Sequence, residues 1–273
     1  MRGFSNKAII PLLMAASLSF PAAGADETPD VQLKAVIDGP QRGTANRARD
    51  VYRHPYETLR FFGIREDQTV VEIEPSGGWW TEILAPYLRD HGTYYAAGPE
   101  RQTTSAEQQT YRRQFEKKLA DAPNLYDKVV VTEFGPHAHD IAPPESADLV
   151  LTFRNIHNWL ADGSADSAFQ SFFRALRHGG ILGVEEHRAA GDQPQDPLAK
   201  SGYVREDVVI ALAEAAGFKL AGRSDINANP KDTKDYPAGV WTLPPALRLK
   251  DQDRERYLAI GESDRATLKF IKP

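Results

Sequence analysis

The sequence predicts an α/β protein whose parallel sheet is wrapped by helices on both faces. Short β-branched runs alternate with longer amphipathic stretches through most of the chain, which is the pattern of βαβ units. Residues 69–88 read as strand, glycine turn and helix. The 273 residues, 41% hydrophobic and 26% charged, suit one large globular domain.

Taken in order, residues 26–43 are polar and hold Pro29, Gly39, Pro40 and Gly43, so they read as a lead-in. The domain proper is expected over 44–273. A helical pattern runs from Thr44 to Phe62, and Pro55 divides it into two short helices. TVVEI at 69–73 is the first strand, and the turn PSGG at 75–78 leads into a helix that ends at Leu88. TYYAA at 93–97 is a second strand, 104–120 a polar helix, KVVV at 128–131 a third strand and ADLVLTF at 147–153 a fourth. Ala165–Leu176 is a helix closed by His178-Gly179-Gly180, and ILGVEE at 181–186 is a fifth strand. A helix over 206–216 stops at Gly217, a sixth strand covers 218–224, and LKFI at 268–271 is a seventh. The stretch 226–250, with four prolines, is long enough to be a lid or binding loop.

The first 25 residues follow other rules. Arg2 and Lys7 precede an apolar run from Ala8 to Phe20, and Ala23-Gly24-Ala25 supplies small residues before Asp26. This is the pattern of a secretory signal peptide cleaved after Ala25, and it implies an exported, periplasmic protein. Its apolar run is too short to span a bilayer, and no other stretch is long enough, so no membrane span is expected after cleavage. Losing Arg2 and Lys7 takes the formal charge from −5 to −7, which argues against nucleic acid as a partner. The chain has no cysteine, which excludes disulfides, thiolate chemistry and Cys-bound zinc.

In a doubly wound sheet, ligands bind beyond the carboxyl ends of the strands, where helix N-termini offer free amides. The turn after the first strand, Glu74 to Trp80, is the first candidate, since Gly77 and Gly78 let a ligand approach the backbone closely. VVEIEPSGGWWTEILAPYL at 70–88 and LTFRNIHNWL at 151–160 resemble motifs of a bacterial family of exported class I S-adenosylmethionine-dependent methyltransferases. GYVREDVVIALAEAAGF at 202–218, INANPKDTKD at 226–235, GVWTLPP at 239–245 and GESDRATLKF at 261–270 extend the resemblance over residues 40–273. It implies a Rossmann-like sheet of seven strands with the last antiparallel, S-adenosylmethionine as cofactor and a small-molecule substrate. It also implies cofactor contacts from Glu72, Glu74, Ser76, Gly77, Gly78, Trp79, Glu100, Phe134, Arg154 and Asn155. Glu74 and Ser76 stand where the family's first two glycines fall, and Gly98 stands where an acid usually holds the ribose, with Glu100 two residues on.

Chemistry is expected at the ends of the fourth and fifth strands, where Arg154, Asn155, His157 and Asn158, and Glu185, Glu186 and His187, follow one another. His157 or His187 is the candidate general base, with Glu186 beside it. His137 and His139 follow the third strand. With His157 and His187 they make four imidazoles at one sheet edge, so a metal site remains an alternative. A second alternative is a binding protein that keeps the fold without catalysis. Tyr56, Trp79, Trp80, Trp159, Tyr203 and Trp241 are candidate pocket aromatics, and Lys231 and Lys234 are candidate lid cations for an anionic group.

Overall fold

The computed structural model describes residues 29–273; the expected signal peptide lies outside them. Four short helices lead in: α1 (Val31–Ile37), α2 (Thr44–Arg47), α3 (Asp50–Arg53) and α4 (Pro55–Phe62). Then come β1 (Thr69–Ile73), α5 (Thr81–Leu88), β2 (Thr93–Pro99), α6 (Ala106–Asp121), α7 (Pro123–Tyr126), β3 (Val130–Phe134) and β4 (Ala147–Phe153). They are followed by α8 (Ile156–Asp162), α9 (Ala165–Ala175), β5 (Leu176–His187), α10 (Glu206–Ala215), β6 (Lys219–Ser224), α11 (Arg254–Ile260) and β7 (Arg265–Ile271).

The seven strands lie in the order β3-β2-β1-β4-β5-β7-β6. All pairs are parallel except those of β7, which runs antiparallel to both β5 and β6. The sheet is buried on both faces because its central strands carry apolar residues at successive positions. In β4, Leu149, Leu151 and Phe153 pack on one face with α1, α4 and α5, while Val150 packs on the other with α8, α9 and α10. The strand order reverses direction between β1 and β4, and a crevice opens there at their carboxyl ends.

Several boundaries differ from the sequence reading. The lead-in contains α1, whose Leu33 and Ile37 are buried against the core; two apolar positions one turn apart are enough to dock a helix that the polar composition hides. Residues 44–62 form three helices, not two. His54 is left-handed (φ 40°) and hands over to Pro55 at the first position of α4. β3 sits two residues later than expected. β5 begins at Leu176, because Leu176 pairs with Ala147 before a bulge that takes up His178, Gly179 and Gly180. The glycines expected to close a helix therefore lie inside a strand. The long stretch after β6 carries one 3₁₀ turn, Gly239–Thr242, and a helix, α11, at its end.

Candidate active site

A cavity of about 510 Å³ opens over the carboxyl ends of the strands. Its walls include Glu74 and Ser76 of the glycine turn, Ser105 and Gln108 at the start of α6, Arg154, Asn155, His157 and Asn158 after β4, His187 at the end of β5, Glu262 and Ser263 just before β7, and Trp241, Pro244, Pro245 and Ala246 as a roof. A second cavity of about 200 Å³ lies on the other side of Glu74, between the glycine turn and the N-terminal helices, and Arg49, Arg53 and Arg154 line it. Glu74, Ser76, Phe153 and Arg154 border both spaces.

The turn keeps a glycine-like shape without glycine at its leading positions. Glu74 and Ser76 both have φ of 50°, the left-handed region, and Gly78 has 73°. Non-glycine residues there store strain, which persists only where the surroundings enforce it. A side chain added at Gly77 would meet no atom within 4 Å, so the backbone at this point faces open space. Neither indole fills that space. Trp80 stacks on Phe153 at 4.1 Å between centroids, and Trp79 donates Nε1–H to Asn46 O at 3.0 Å beneath the guanidiniums of Arg42 and Arg53. Trp79 thus fastens α2 and α3 to the turn and borders only the smaller cavity.

Two carboxyls beside the turn hold their protons tightly. Burial pushes Glu72 up to about 7, against the opposing effect of hydrogen bonds from Tyr94 and Thr81, whose Oγ1 lies 3.1 Å away. Burial likewise pushes Glu74 up to about 7, reinforced by Asp162.

On the β5 side, Glu186 organises two histidines. Its Oε2 accepts from the Ile156 amide at 2.6 Å and the His157 amide at 3.4 Å, so it sits at the open N-terminus of α8. Its Oε1 accepts from the His187 amide at 2.8 Å and lies 3.1 Å from His157 Nδ1. The carboxylate therefore fixes His157 with Nδ1 protonated and leaves Nε2 as the free ring nitrogen. The His187 ring is 5.4 Å from that of His157, and its Nδ1 is 2.6 Å from Ser263 Oγ. Burial first, then the charge of His157 and of Arg154, Arg265 and Arg53, lowers its pKa well below the usual imidazole value, so it is neutral at neutral pH. Trp241 closes over His157 edge-on at 5.8 Å.

The four-histidine group is not assembled. His157, His187 and Glu186 offer ligand atoms within 4.8 Å of one another, whereas His137 and His139 belong to the turn after β3 and are absent from that group. All four lone-pair directions of Glu186 are already taken by N–H donors. Metal ligation by this carboxylate would give up those bonds.

Other expectations also move. Glu100 accepts the His137 amide and braces the loop after β3; it does not border the cavity. Phe134 is core, packed edge-on against Trp159 at 5.5 Å. Tyr56 lies under Lys34, away from the cleft. Tyr203 donates to Asp232 at 2.8 Å, which ties the long loop down. Lys234 pairs with Asp264 at 2.9 Å and Lys231 reaches Ala259 O, so neither lysine faces the cavity. Asn155 borders it while donating to Ile73 O at 3.1 Å.

The structure adds residues that the sequence reading passed over. Ser105, Gln108 and Tyr111 bring the start of α6 to the cavity. The signal was the capping pattern Ser105-x-x-Gln108, in which Ser105 Oγ accepts the Gln108 amide at 3.3 Å. Arg49, Arg53 and Arg265 converge on Glu262. Arg49 Nε lies 2.6 Å from Oε1, while Arg53 Nε and Arg265 Nη1 lie 3.3 and 3.2 Å from Oε2. Burial pushes Glu262 up, but Arg53, Arg265 and Arg49 more than reverse this and bring it down to about 2.

No protein-family model matches the sequence, and no curated protein sequence matches it. Solved structures do. The fold is similar to that of an S-adenosylmethionine-dependent methyltransferase from Aquifex aeolicus, at 14% identity and a TM-score of 0.54 over 89% of this chain and 97% of that one. It is similar to the (4+2)-cyclase SpnF, at 17% identity and a TM-score of 0.53 over 86% and 85% of the two chains. An arsenic(III) S-adenosylmethionine methyltransferase from Chlamydomonas reinhardtii matches at 14% identity and a TM-score of 0.50 over 90% and 74%. At such identities the likeness shows the Rossmann-like methyltransferase fold alone, and because one of these neighbours is a cyclase, the reaction has to be argued from the site.

Proposed function

We propose that the protein is an exported S-adenosylmethionine-dependent methyltransferase of the class I superfamily, acting in the periplasm on a small molecule. Export rests on the leader at 1–25. The observation that carries the rest is the open cavity of about 510 Å³ between the strained glycine turn and the Glu186–His157 pair. Its size is in the range of small-ligand sites, and its floor is the switch point of the sheet.

The residues that border the two cavities suit the cofactor on its glycine-turn side, while Glu100, the implied ribose acid, is not among them. Glu74, Ser76 and the turn up to Gly78, the α6 start at Ser105 and Gln108, and Asn155 would hold it. When bound, S-adenosylmethionine supplies a methyl group on a sulfonium, which leaves in line while the C–S electron pair stays on sulfur. The chain's own residues do the rest. Glu74, half-buried in the wall between the two cavities, gains its charge near neutrality and favours a cationic ligand there. His157 Nε2 takes the proton of an acceptor N–H or O–H as its new bond to carbon forms, and Glu186 stabilises the imidazolium. His187, uncharged, lines the same wall as a hydrogen-bond partner. Trp241, Pro244 and Pro245 roof the space and exclude water.

Calorimetric titration with S-adenosylhomocysteine tests this. Micromolar binding to the mature protein is expected. Asn158→Trp, at an exposed position of α8 that borders the cavity, should abolish it without lowering the melting temperature. No binding to the wild-type protein would defeat the transferase reading.

A further inference from the structure

The two histidines that border the larger cavity are held from behind by different kinds of partner. His157 Nδ1 lies 3.1 Å from Glu186 Oε1, which only accepts, so this ring carries its proton on Nδ1 and presents a bare Nε2. His187 Nδ1 lies 2.6 Å from Ser263 Oγ, and a hydroxyl can donate or accept. Burial decides between the two. Ser263 is 3% exposed, and its hydroxyl has no other hydrogen-bond partner among the described residues. If His187 Nδ1 carried the proton, Oγ would accept it and the buried hydroxyl proton would be left unmatched, which costs more than the bond gains. Ser263 therefore donates and His187 Nδ1 accepts. Burial first, and then the charges of His157, Arg154, Arg265 and Arg53, keep His187 uncharged at neutral pH. Its one ring proton is then on Nε2.

The pair thus shows the cavity one acceptor and one donor. Neither Nε2 has a hydrogen-bond partner among the described residues, and neither is sealed from the cavity that both residues line. The rings are 5.4 Å apart between centroids, so a single ligand atom can sit about 3 Å from a nitrogen of each. Such an atom needs a proton for His157 and a lone pair for His187. As a methyl acceptor it needs a second lone pair to attack carbon. A hydroxyl oxygen has all three. An amine nitrogen has one lone pair, which the attack uses, so His187 Nε2–H would stay unmatched. A thiol sulfur accepts hydrogen bonds only weakly.

We propose that Ser263 is a positioning residue that holds His187 with its proton on Nε2, and that the two imidazoles, in opposite tautomers, select a hydroxyl oxygen as the methyl acceptor. The selection of a hydroxyl rests on the transferase reading; the tautomers do not. One lone pair of the oxygen bonds to the methyl carbon of S-adenosylmethionine as the C–S bond breaks, and that bond's electron pair stays on sulfur. The O–H proton passes to His157 Nε2. His187 Nε2–H keeps its hydrogen bond to the other lone pair throughout, so it aims the oxygen and exchanges no proton. An O-methyl product, S-adenosylhomocysteine and the His157 imidazolium result.

Nitrogen NMR of the protein carrying isotope-labelled histidine, at neutral pH, reads the tautomers directly. His157 should show a bare Nε2 and His187 a bare Nδ1. Ser263→Ala should release His187 into a mixture of both tautomers, raising the Nδ1–H form by about tenfold or more. The His157 signals should not move, which also shows that the variant is folded. Ser263→Thr keeps the hydroxyl and should keep the single form. A wild-type His187 with its proton on Nδ1, or a tautomer that Ser263→Ala leaves unchanged, would overturn the role of Ser263. With S-adenosylhomocysteine at saturation, phenol should shift both Nε2 signals, whereas aniline should shift that of His157 alone. Phenol that leaves the His187 signal in place would defeat the selection of a hydroxyl. Opposite tautomers in a protein with no affinity for S-adenosylhomocysteine would uphold the role of Ser263 and remove the transferase reading.

Discussion

Glu186 and Glu262 are buried carboxylates at the same end of the sheet, and they are satisfied in different ways. Glu186 accepts from three backbone amides and lies beside one imidazole, so its partners are fixed by α8 and β5 and carry little charge. Glu262 is met by three guanidiniums from α2–α3 and β7, with a fourth, Arg154, close by and without an ion pair among the described residues. The histidine side is closed within the protein and suits proton transfer. The arginine side holds more donors than acceptors.

Substitutions at these residues break or sharpen the contrast. The largest effect is expected for Glu262→Gln, which leaves the buried guanidiniums of Arg53 and Arg265 and the half-buried one of Arg49 without their shared charge and should cost about 3–5 kcal/mol in chemical denaturation. The pH dependence has a definite sign. Glu262 falls to about 2 in the folded protein from an ordinary 4.5, so its contribution is present above 4.5 and is lost as pH drops toward 2. Glu72 has the opposite sign. Its folded value of about 7 lies above 4.5, so the unfolded chain ionises first and stability declines as pH rises from 4.5 to 7. Glu72→Gln should remove that decline, stabilising the protein by up to roughly 3 kcal/mol at pH 8 and by little at pH 4. Next comes Arg154→Asn, expected to stabilise the ligand-free protein by about 1 kcal/mol, since it relieves repulsion and suits the backbone. A loss of stability would mean that Arg154 is structural. Lys231→Ala should do almost nothing to melting temperature or ligand binding, because its ammonium reaches only an exposed carbonyl.

The framework of the molecule was legible where local pattern and tertiary role agree. Thr69–Ile73 and Ala147–Phe153 are strands at the expected residues, because an apolar β-branched run between turns has no other stable use in such a chain. Leu176–Gly180 misled, because the glycines that usually end a helix here form a bulge imposed by pairing with Ala147. Of the site, His157, Glu186 and His187 stood out because they follow strand ends, and the fold brings them together. The partner of His187, Ser263, lies 76 residues beyond it. The arginine side was invisible for a stronger reason. Arg49 and Arg53 look like ordinary surface charges on short helices, and they meet Glu262 across 213 and 209 residues. Only sheet closure by the antiparallel β7 brings Arg265 and Glu262 to the crevice. Glu100 and Phe134 show the converse: their positions in the sequence matched a motif, but one side chain braces a turn and the other fills the core.

The most direct measurement is a crystal structure of the protein grown with S-adenosylhomocysteine. Its adenosine should occupy the cavity between Ser76 and the start of α6, with the sulfur directed toward His157 and the Glu74 carboxylate beside the ligand. An unliganded cavity at saturating ligand, or a ligand seated away from the turn at 74–78, would contradict the cofactor site on which the account stands.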